Sequence, residues 1–134
     1  MSRQPEVSPV KVSPAMENYL EAILDLGDEG DPARVTDIAS RMGIAKASVA
    51  QALAGLRASG LVRQEPYGRV FLTAAGRGHA LRVDRSHRVL RAFLVDVLRV
   101  APGAADTEAC RLEHSITADT LERLVAFLES YHRQ

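Results

Sequence analysis

The stretch VTDIASRMGIAKASVAQALAGLRASGLV, residues 35–62, decides the fold of this chain. Apolar residues recur at helical spacing from Val35 onward and predict a helix of about two turns. Thr36 or Asp37 is expected to cap its first turn. Gly43 is expected to stop it, because glycine readily takes the left-handed conformation that ends many helices. The stretch therefore begins with one short helix and a tight turn.

A second helix is predicted directly after this turn. Val49, Leu53 and Leu56 are spaced three or four positions apart and predict its buried face. Mostly polar or small residues stand between them, which leaves the opposite face to solvent. The helix is predicted to end at Gly60, so the two helices form a helix-turn-helix unit.

Upstream of this unit the sequence predicts one longer helix. It is expected to begin at Pro14 behind the cap Ser13 and to end before Gly27, since proline suits a first helical turn and glycine a helix end. Residues 1–13 contain two prolines and no apolar periodicity. They are expected to form a flexible lead-in.

Downstream of the unit, two strand-like runs and three helices are predicted. Residues 61–65 and 69–73 contain strand-forming side chains and flank a Pro-Tyr-Gly turn, which is typical of a β-hairpin. The predicted helices run from near Thr73 to the break at Pro102, over 106–115, and over 118–130 behind the cap Thr117.

The order of these elements is that of a winged helix-turn-helix, in which the second short helix enters the DNA major groove. The predicted fold class is mainly α. Three helices and a β-hairpin wing form an N-terminal domain over 14–76, and an all-helical domain follows over 77–134. The chain has 17 basic and 17 acidic residues, but residues 41–91 hold 10 basic and only 2 acidic ones. Such a basic block is typical of a phosphate-binding element.

Five polar side chains of the second short helix and the wing are candidates for DNA contact. Lys46 and Arg57 are expected to meet phosphates, with Ser48 as a further donor. Gln51 suits the reading of a base edge, because its amide can pair with adenine through two hydrogen bonds. Arg69 on the wing is expected to reach the backbone or the minor groove. The alternative is a structural or protein-docking module with a solvated basic face.

Length and composition exclude several other classes. A chain of 134 residues is too short for a large multidomain enzyme, and 46% hydrophobic with 25% charged residues is typical of a folded soluble domain. A single cysteine forms no internal disulfide. No segment has the character of a signal peptide or the length of a membrane span. A cytoplasmic protein without a membrane partner is expected.

Cys110, Glu113 and His114 form the strongest candidate ligand group. They stand at positions i, i+3 and i+4, so they are expected to leave one face of a helix, and each is a competent transition-metal ligand. Their mixed sulfur, oxygen and nitrogen donors suit Fe(II) or Mn(II) better than a closed zinc site. A nucleophilic cysteine activated by the histidine is the enzymatic alternative. No third orienting group stands out, and we expect no enzyme.

Two other helices offer further donors. Glu21 and Asn18 stand about one turn apart on the first helix, and His87 lies midway along the long helix. An ion bound by all three helices would draw them together. Taken singly, a lone cysteine or helix histidine is most often a buried core residue, and Glu113 could be an ordinary surface side chain.

Four segments resemble the DtxR/MntR family of metal-dependent transcriptional repressors, over about residues 14–131. They are AMENYLEAIL, the helix-turn-helix stretch quoted above, YGRVFLTAAGRGHA and EACRLEHSIT, of which the last is the most diagnostic. The resemblance implies a homodimer with a winged helix and a helical dimerisation domain, in a short form without the SH3-like third domain. It also implies binding to palindromic double-stranded operator DNA when Fe(II) or Mn(II) is loaded. The competing interpretations are a metal-independent winged-helix regulator and a metal-binding or interaction module that does not bind DNA.

Matched position by position, the resemblance implies six functional residues: metal ligands at His87, Cys110, Glu113 and His114, the manganese-type carboxylate at Glu21, and the base-contacting glutamine at Gln51. Asn18 stands where manganese-type members have Asp and iron-type members have Met. Arg91 and Asp106 replace an acidic and a histidine ligand of the iron-type second site, which is therefore expected to be altered or missing. The thiolate of Cys110 favours iron slightly, whereas Glu21 and the short length favour manganese.

Overall fold

A computed structural model of the protein describes residues 12–27 and 32–134, in two units that divide after Arg77. The predicted lead-in falls mostly on residues 1–11, outside the described residues.

The helices and strands are α1 Pro14–Leu26, β1 Ala33–Arg34, α2 Val35–Met42, α3 Lys46–Ala58, β2 Val62–Gln64, β3 Arg69–Leu72, α4 Ala74–Ala92, α5 Pro102–Leu112 and α6 Ala118–His132. The predicted fold class, mainly helical with a small sheet, is confirmed. No helix within the described residues combines the length and apolar character of a bilayer crossing.

Most of the predicted helix ends are confirmed by their capping contacts. The side-chain oxygen of Ser13 accepts a hydrogen bond from the Met16 N–H at 3.2 Å, with Pro14 in the first turn of α1. Gly43 ends α2 with φ at 68°, in the left-handed conformation that glycine adopts without steric cost. Thr117 caps α6 by accepting the N–H of Thr120.

The predicted boundaries of two helices are wrong. Thr36 and Asp37 do not cap α2, because the helix begins at Val35 and Arg34 takes the cap position. Asp37 instead reaches back from the third helical position and accepts the Arg34 N–H at 3.3 Å. Helix α5 spans Pro102–Leu112 rather than 106–115, because the proline that was expected to break the chain starts the helix.

The predicted hairpin is confirmed and gains a third strand. β2 and β3 pair antiparallel, and a single turn of 3-10 helix over Pro66–Gly68 joins them. β1, which was not predicted, pairs with the other edge of β3, so the strand order is β1-β3-β2. Two residues are too few to show an alternating pattern in the sequence.

The core of the first unit lies between its three helices. Val49, Leu53 and Leu56 of α3 are fully buried, as the sequence predicts, together with Leu20 of α1 and Ile38 of α2. Because one face of α3 packs in this core, its opposite face is exposed to solvent. The buried face thus fixes the orientation in which α3 presents its outer face.

The start of α4 is fixed against the loop after α3. The Thr73 hydroxyl donates to the Gly60 carbonyl at 2.7 Å and accepts the Gly76 N–H at 3.1 Å. Gly76 lies so close to this loop that a Cβ atom built on it would stand 1.9 Å from the Leu61 carbonyl oxygen. Only glycine fits at this position.

The second unit is built on α4, which continues into a π-helical segment, Phe93–Val97. Leu90 and Leu94 pack with Ala105 and Ala109 of α5 in one buried cluster. Alanine is small, so this packing allows the helices to approach closely. Between α4 and α6, Arg85 donates to Glu122 and lowers the pKa of this exposed carboxyl group, chiefly through the hydrogen bond.

Candidate metal centre and DNA-binding surface

Three of the predicted metal ligands meet in the second unit. His87 comes from α4, Cys110 from the last turn of α5, and Glu113 from the C-cap of α5. One ligand atom from each lies within 4.8 Å of the others. The His87 Nδ1 atom is 2.8 Å from the Glu113 Oε2 atom and 3.7 Å from the Cys110 Sγ atom. We call these three residues the ligand cluster.

The packing of α5 explains how these side chains are placed. Ala105 and Ala109 are fully buried in the core of the unit, so the inner face of α5 is fixed. Cys110 follows Ala109 directly and is exposed. Glu113 lies one turn beyond Ala109, and its backbone N–H donates to the Ala109 carbonyl at 2.9 Å. Its carboxylate is thereby turned inward, with the side chain fully buried.

His114 approaches the same carboxylate from the other side. Its Nε2 atom is 3.6 Å from the Glu113 Oε1 atom, and the His114 side chain is 8% exposed. The prediction that Cys110, Glu113 and His114 share one helical face is wrong in detail, because α5 ends at Leu112 and His114 lies in the following turn. The turn nonetheless leaves Glu113 between two imidazole rings.

The chemistry of these donors fits a divalent transition-metal ion. A buried carboxylate is costly unless a positive charge or hydrogen bonds compensate for its lost hydration. Here the carboxylate lies against two imidazoles and close to a thiol, which together are nitrogen, oxygen and sulfur donors. Such a mixed donor set suits an Fe(II) or Mn(II) site of five or six ligands better than a closed tetrahedral zinc site.

The far side of His87 faces Asp106, which in turn pairs with Arg91. The His87 Nε2 atom is 3.5 Å from the Asp106 Oδ1 atom. The same oxygen accepts a hydrogen bond from the Arg91 Nε at 2.6 Å. Arg91 stands one turn after His87 on α4, and Asp106 stands one turn before Cys110 on α5. The resemblance implies that both positions are altered relative to iron-type members, whereas their pairing was not predicted.

The other two predicted ligands lie on α1 in the first unit. Asn18 is exposed and Glu21 is partly buried. Each stands on the helix that the Ser13 cap and the buried residue Leu20 hold in place.

The predicted DNA-contacting residues are all exposed on the first unit: Lys46, Ser48, Gln51, Arg57 and Arg69. The first four lie on α3, and Gln51 points away from the core face of that helix. Its neighbours Ala47, Ala50 and Ala54 are also exposed. A face made of such small side chains allows the helix backbone to approach a surface closely.

Two arginine contacts at the wing were not predicted from the sequence. Arg57 donates a hydrogen bond to Gln64 on β2, which ties the end of α3 to the wing. Arg34 on β1 lies directly opposite Arg69 on β3. Like charges placed opposite each other destabilise a strand pair, and a polyanion would relieve that repulsion. The only sequence signal for Arg34 was its position just before α2.

Comparison with known proteins gives two family matches that together cover most of the chain. Residues 11–70 match the iron dependent repressor N-terminal DNA binding domain. Residues 73–134 match the iron dependent repressor metal binding and dimerisation domain.

Relatives agree with both matches. The transcriptional regulator MntR of Escherichia coli is 34% identical over 116 residues, which cover 87% of this chain and 74% of that protein. The iron-dependent repressor IdeR of Mycobacterium bovis is 35% identical over 114 residues, which cover 85% of this chain and 50% of that protein.

The fold is also found among solved structures. That of the manganese regulator SloR matches with a TM-score of 0.76 and 28% identity, covering 85% of this chain and 53% of that one. This chain thus spans about half the length of IdeR and SloR. It belongs to the DtxR/MntR family of metal-dependent transcriptional repressors.

Proposed function

We propose that this repressor binds its operator DNA when Fe(II) or Mn(II) loads the second unit. The proposed ligands there are His87, Cys110, Glu113 and His114. The observation that carries the proposal is the fully buried carboxylate of Glu113, with an imidazole nitrogen 2.8 Å from one oxygen and another 3.6 Å from the second. When bound, the ion supplies the positive charge that such a carboxylate needs. The thiol of Cys110 favours iron slightly, because sulfur is a softer donor than oxygen.

Glu21 and Asn18 are proposed as further ligands on sequence grounds alone. They belong to α1, which packs with the DNA-reading helices of the first unit. A ligand on α1 would connect metal loading to DNA reading. By thermodynamic linkage, operator DNA must then tighten metal binding by the same factor as the metal tightens DNA binding.

The proposed partners are a second copy of the chain and a palindromic operator. A two-fold symmetric dimer would present two α3 helices to half-sites spaced roughly 34–36 Å apart, one turn of DNA. On α3, Gln51 would read a base edge from the face lined by alanines, while Lys46, Ser48 and Arg57 hold phosphates. Arg69, opposite Arg34 on the wing, would contact the DNA backbone or the minor groove.

An anaerobic operator-binding titration tests the proposal as a whole. Metal-free protein is titrated onto labelled operator DNA in gel-shift assays, with and without Fe(II), Mn(II) or Zn(II). Allosteric coupling of ordinary size predicts stimulation of about 5- to 150-fold by the activating ion. Equal binding with and without every ion would instead support a metal-independent winged-helix regulator.

Replacing Cys110 by glutamate is expected to move the metal response from iron towards manganese. The change substitutes a hard oxygen donor for the soft sulfur at an exposed position of the ligand cluster. Fe(II) and Mn(II) affinities of both proteins are measured by anaerobic titration, and their ratio is compared. The Thr107→Glu variant is the control, since it adds the same charge at an exposed site on α5. An unchanged Fe(II)/Mn(II) ratio in Cys110→Glu would count against a metal-bound thiolate.

Gln51→Ala and Lys46→Ala are expected to weaken DNA binding in different ways. Loss of the glutamine removes a base contact, so preference for operator over random DNA should fall by about 1–3 kcal/mol. Loss of the lysine removes a phosphate contact, so binding to all DNA should weaken and the salt-dependence slope should decrease by about 1. Fluorescence anisotropy at several salt concentrations measures both. Arg123→Ala, an exposed change on α6, is the charge control. The assignment fails if both variants behave like this control.

A further inference from the structure

Both ring nitrogens of His87 face carboxylates, and the two contacts differ in their surroundings. On the Nδ1 side, the Glu113 carboxylate is fully buried and Cys110 lies nearby. On the Nε2 side, the Asp106 carboxylate is about half exposed and is already paired with a cation, the guanidinium of Arg91. A metal ligand from this ring would therefore be Nδ1, which leaves Nε2 to carry the proton.

We propose that Asp106 and Arg91 are positioning residues for metal binding, which orient His87 through its Nε2–H group. This inference rests on the proposed function of the ligand cluster. The Asp106 Oδ1 atom lies 3.5 Å from the His87 Nε2 atom, on the side to which an Nε2–H group would donate. Arg91 holds the carboxylate in place through the same oxygen, Oδ1, at 2.6 Å.

The chemistry of metal-bound histidines explains why such a pair matters. A ligating imidazole almost always donates its other N–H to a carboxylate, a carbonyl or water, which fixes the tautomer and makes the ligating nitrogen more basic. Loss of the outer partner typically lowers metal affinity about 10- to 100-fold. Because Arg91 neutralises part of the charge on Asp106, this carboxylate is kept on the outer side of the ring and out of the ligand set.

Co(II) titration of the full-length protein tests this assignment. Asp106→Ala is expected to lower Co(II) affinity about 10- to 100-fold in anaerobic calorimetry and to shift the ligand-field absorption of the bound ion. Asp106→Asn should lose less, because the amide oxygen still accepts a hydrogen bond. Asp84→Asn is the matched control: Asp84 lies on α4, where it pairs with Arg88 at 3.1 Å. It should change neither readout.

A double-mutant cycle separates positioning from a merely structural role. Arg91→Gln alone should lower Co(II) affinity, and it should have little further effect in the Asp106→Ala background, because both residues act through one oxygen. Unfolding of the metal-free proteins verifies that each variant folds. Additive effects, or wild-type affinity and spectrum in Asp106→Ala, would overturn the inference while leaving the ligand cluster intact. Failure of the wild-type protein itself to bind Co(II) would overturn the proposed function as well.

Discussion

Glu113→Gln is expected to abolish metal-stimulated operator binding. Glutamine keeps the size and one oxygen of the side chain but removes the negative charge that the two imidazoles enclose. The stimulation that wild-type protein is expected to show, about 5- to 150-fold, should therefore fall to none. The measurement is the anaerobic gel-shift titration with and without Fe(II) or Mn(II), carried out on both proteins in parallel.

Two further variants sharpen this result. Glu108→Gln removes the same charge from an exposed position on α5 and should retain full stimulation. His114→Ala removes the imidazole at the second Glu113 oxygen and should lose stimulation in the same way as Glu113→Gln. Circular dichroism and unfolding of the metal-free proteins confirm that they fold. Wild-type stimulation in folded Glu113→Gln protein would refute the proposal that metal bound at Glu113 stimulates operator binding.

Gly76→Ala is expected to destabilise the protein strongly. Its Cβ atom would stand 1.9 Å from the Leu61 carbonyl oxygen, a backbone atom that cannot rotate away. Forcing an extra carbon into a packed site usually costs about 1–3 kcal/mol and sometimes more. We expect about 3 kcal/mol or more here, because the shift would also disturb the hydrogen bonds of Thr73.

Gly55→Ala provides the matched control for this prediction. Gly55 lies inside α3, and a Cβ atom built there meets nothing within 4 Å. The same substitution should therefore stabilise the protein by about 0.5–1 kcal/mol, since alanine is the better helix former. Urea unfolding of the metal-free proteins gives both free energies. If the two variants have equal stability, the close approach of Gly76 to Leu61 does not constrain the fold.

Local sequence signals predicted much of the fold. Helices begin after Ser13 and Thr117 because their side-chain oxygens accept a backbone N–H of the first turn. Helix α2 ends at Gly43 because glycine takes the left-handed conformation needed there. Arginine carries no capping signal, so the start of α2 was misplaced. The start of α2 is set by a contact distant in sequence, because pairing with β3 keeps Arg34 extended and the helix begins at the next residue, Val35.

The candidate site was predictable in its residue types but not in its arrangement. The spacing of Cys110, Glu113 and His114 brought attention to one segment, whereas the end of α5 at Leu112 depends on packing that spacing does not encode. The pairing of Arg91 with Asp106 joins two residues that are 15 positions apart in the sequence and lie on different helices. No single-segment pattern reports such a contact. The π-helical turn after α4 was missed because its apolar residues also fit an ordinary helix.

Within the ligand cluster, Cys110 is an exposed residue, whereas the side chain of Glu113 is fully buried. We therefore expect an ion to enter and leave the proposed site on the side of Cys110. A small chelator would then reach an ion bound at the proposed site from this side, without passing the buried carboxylate.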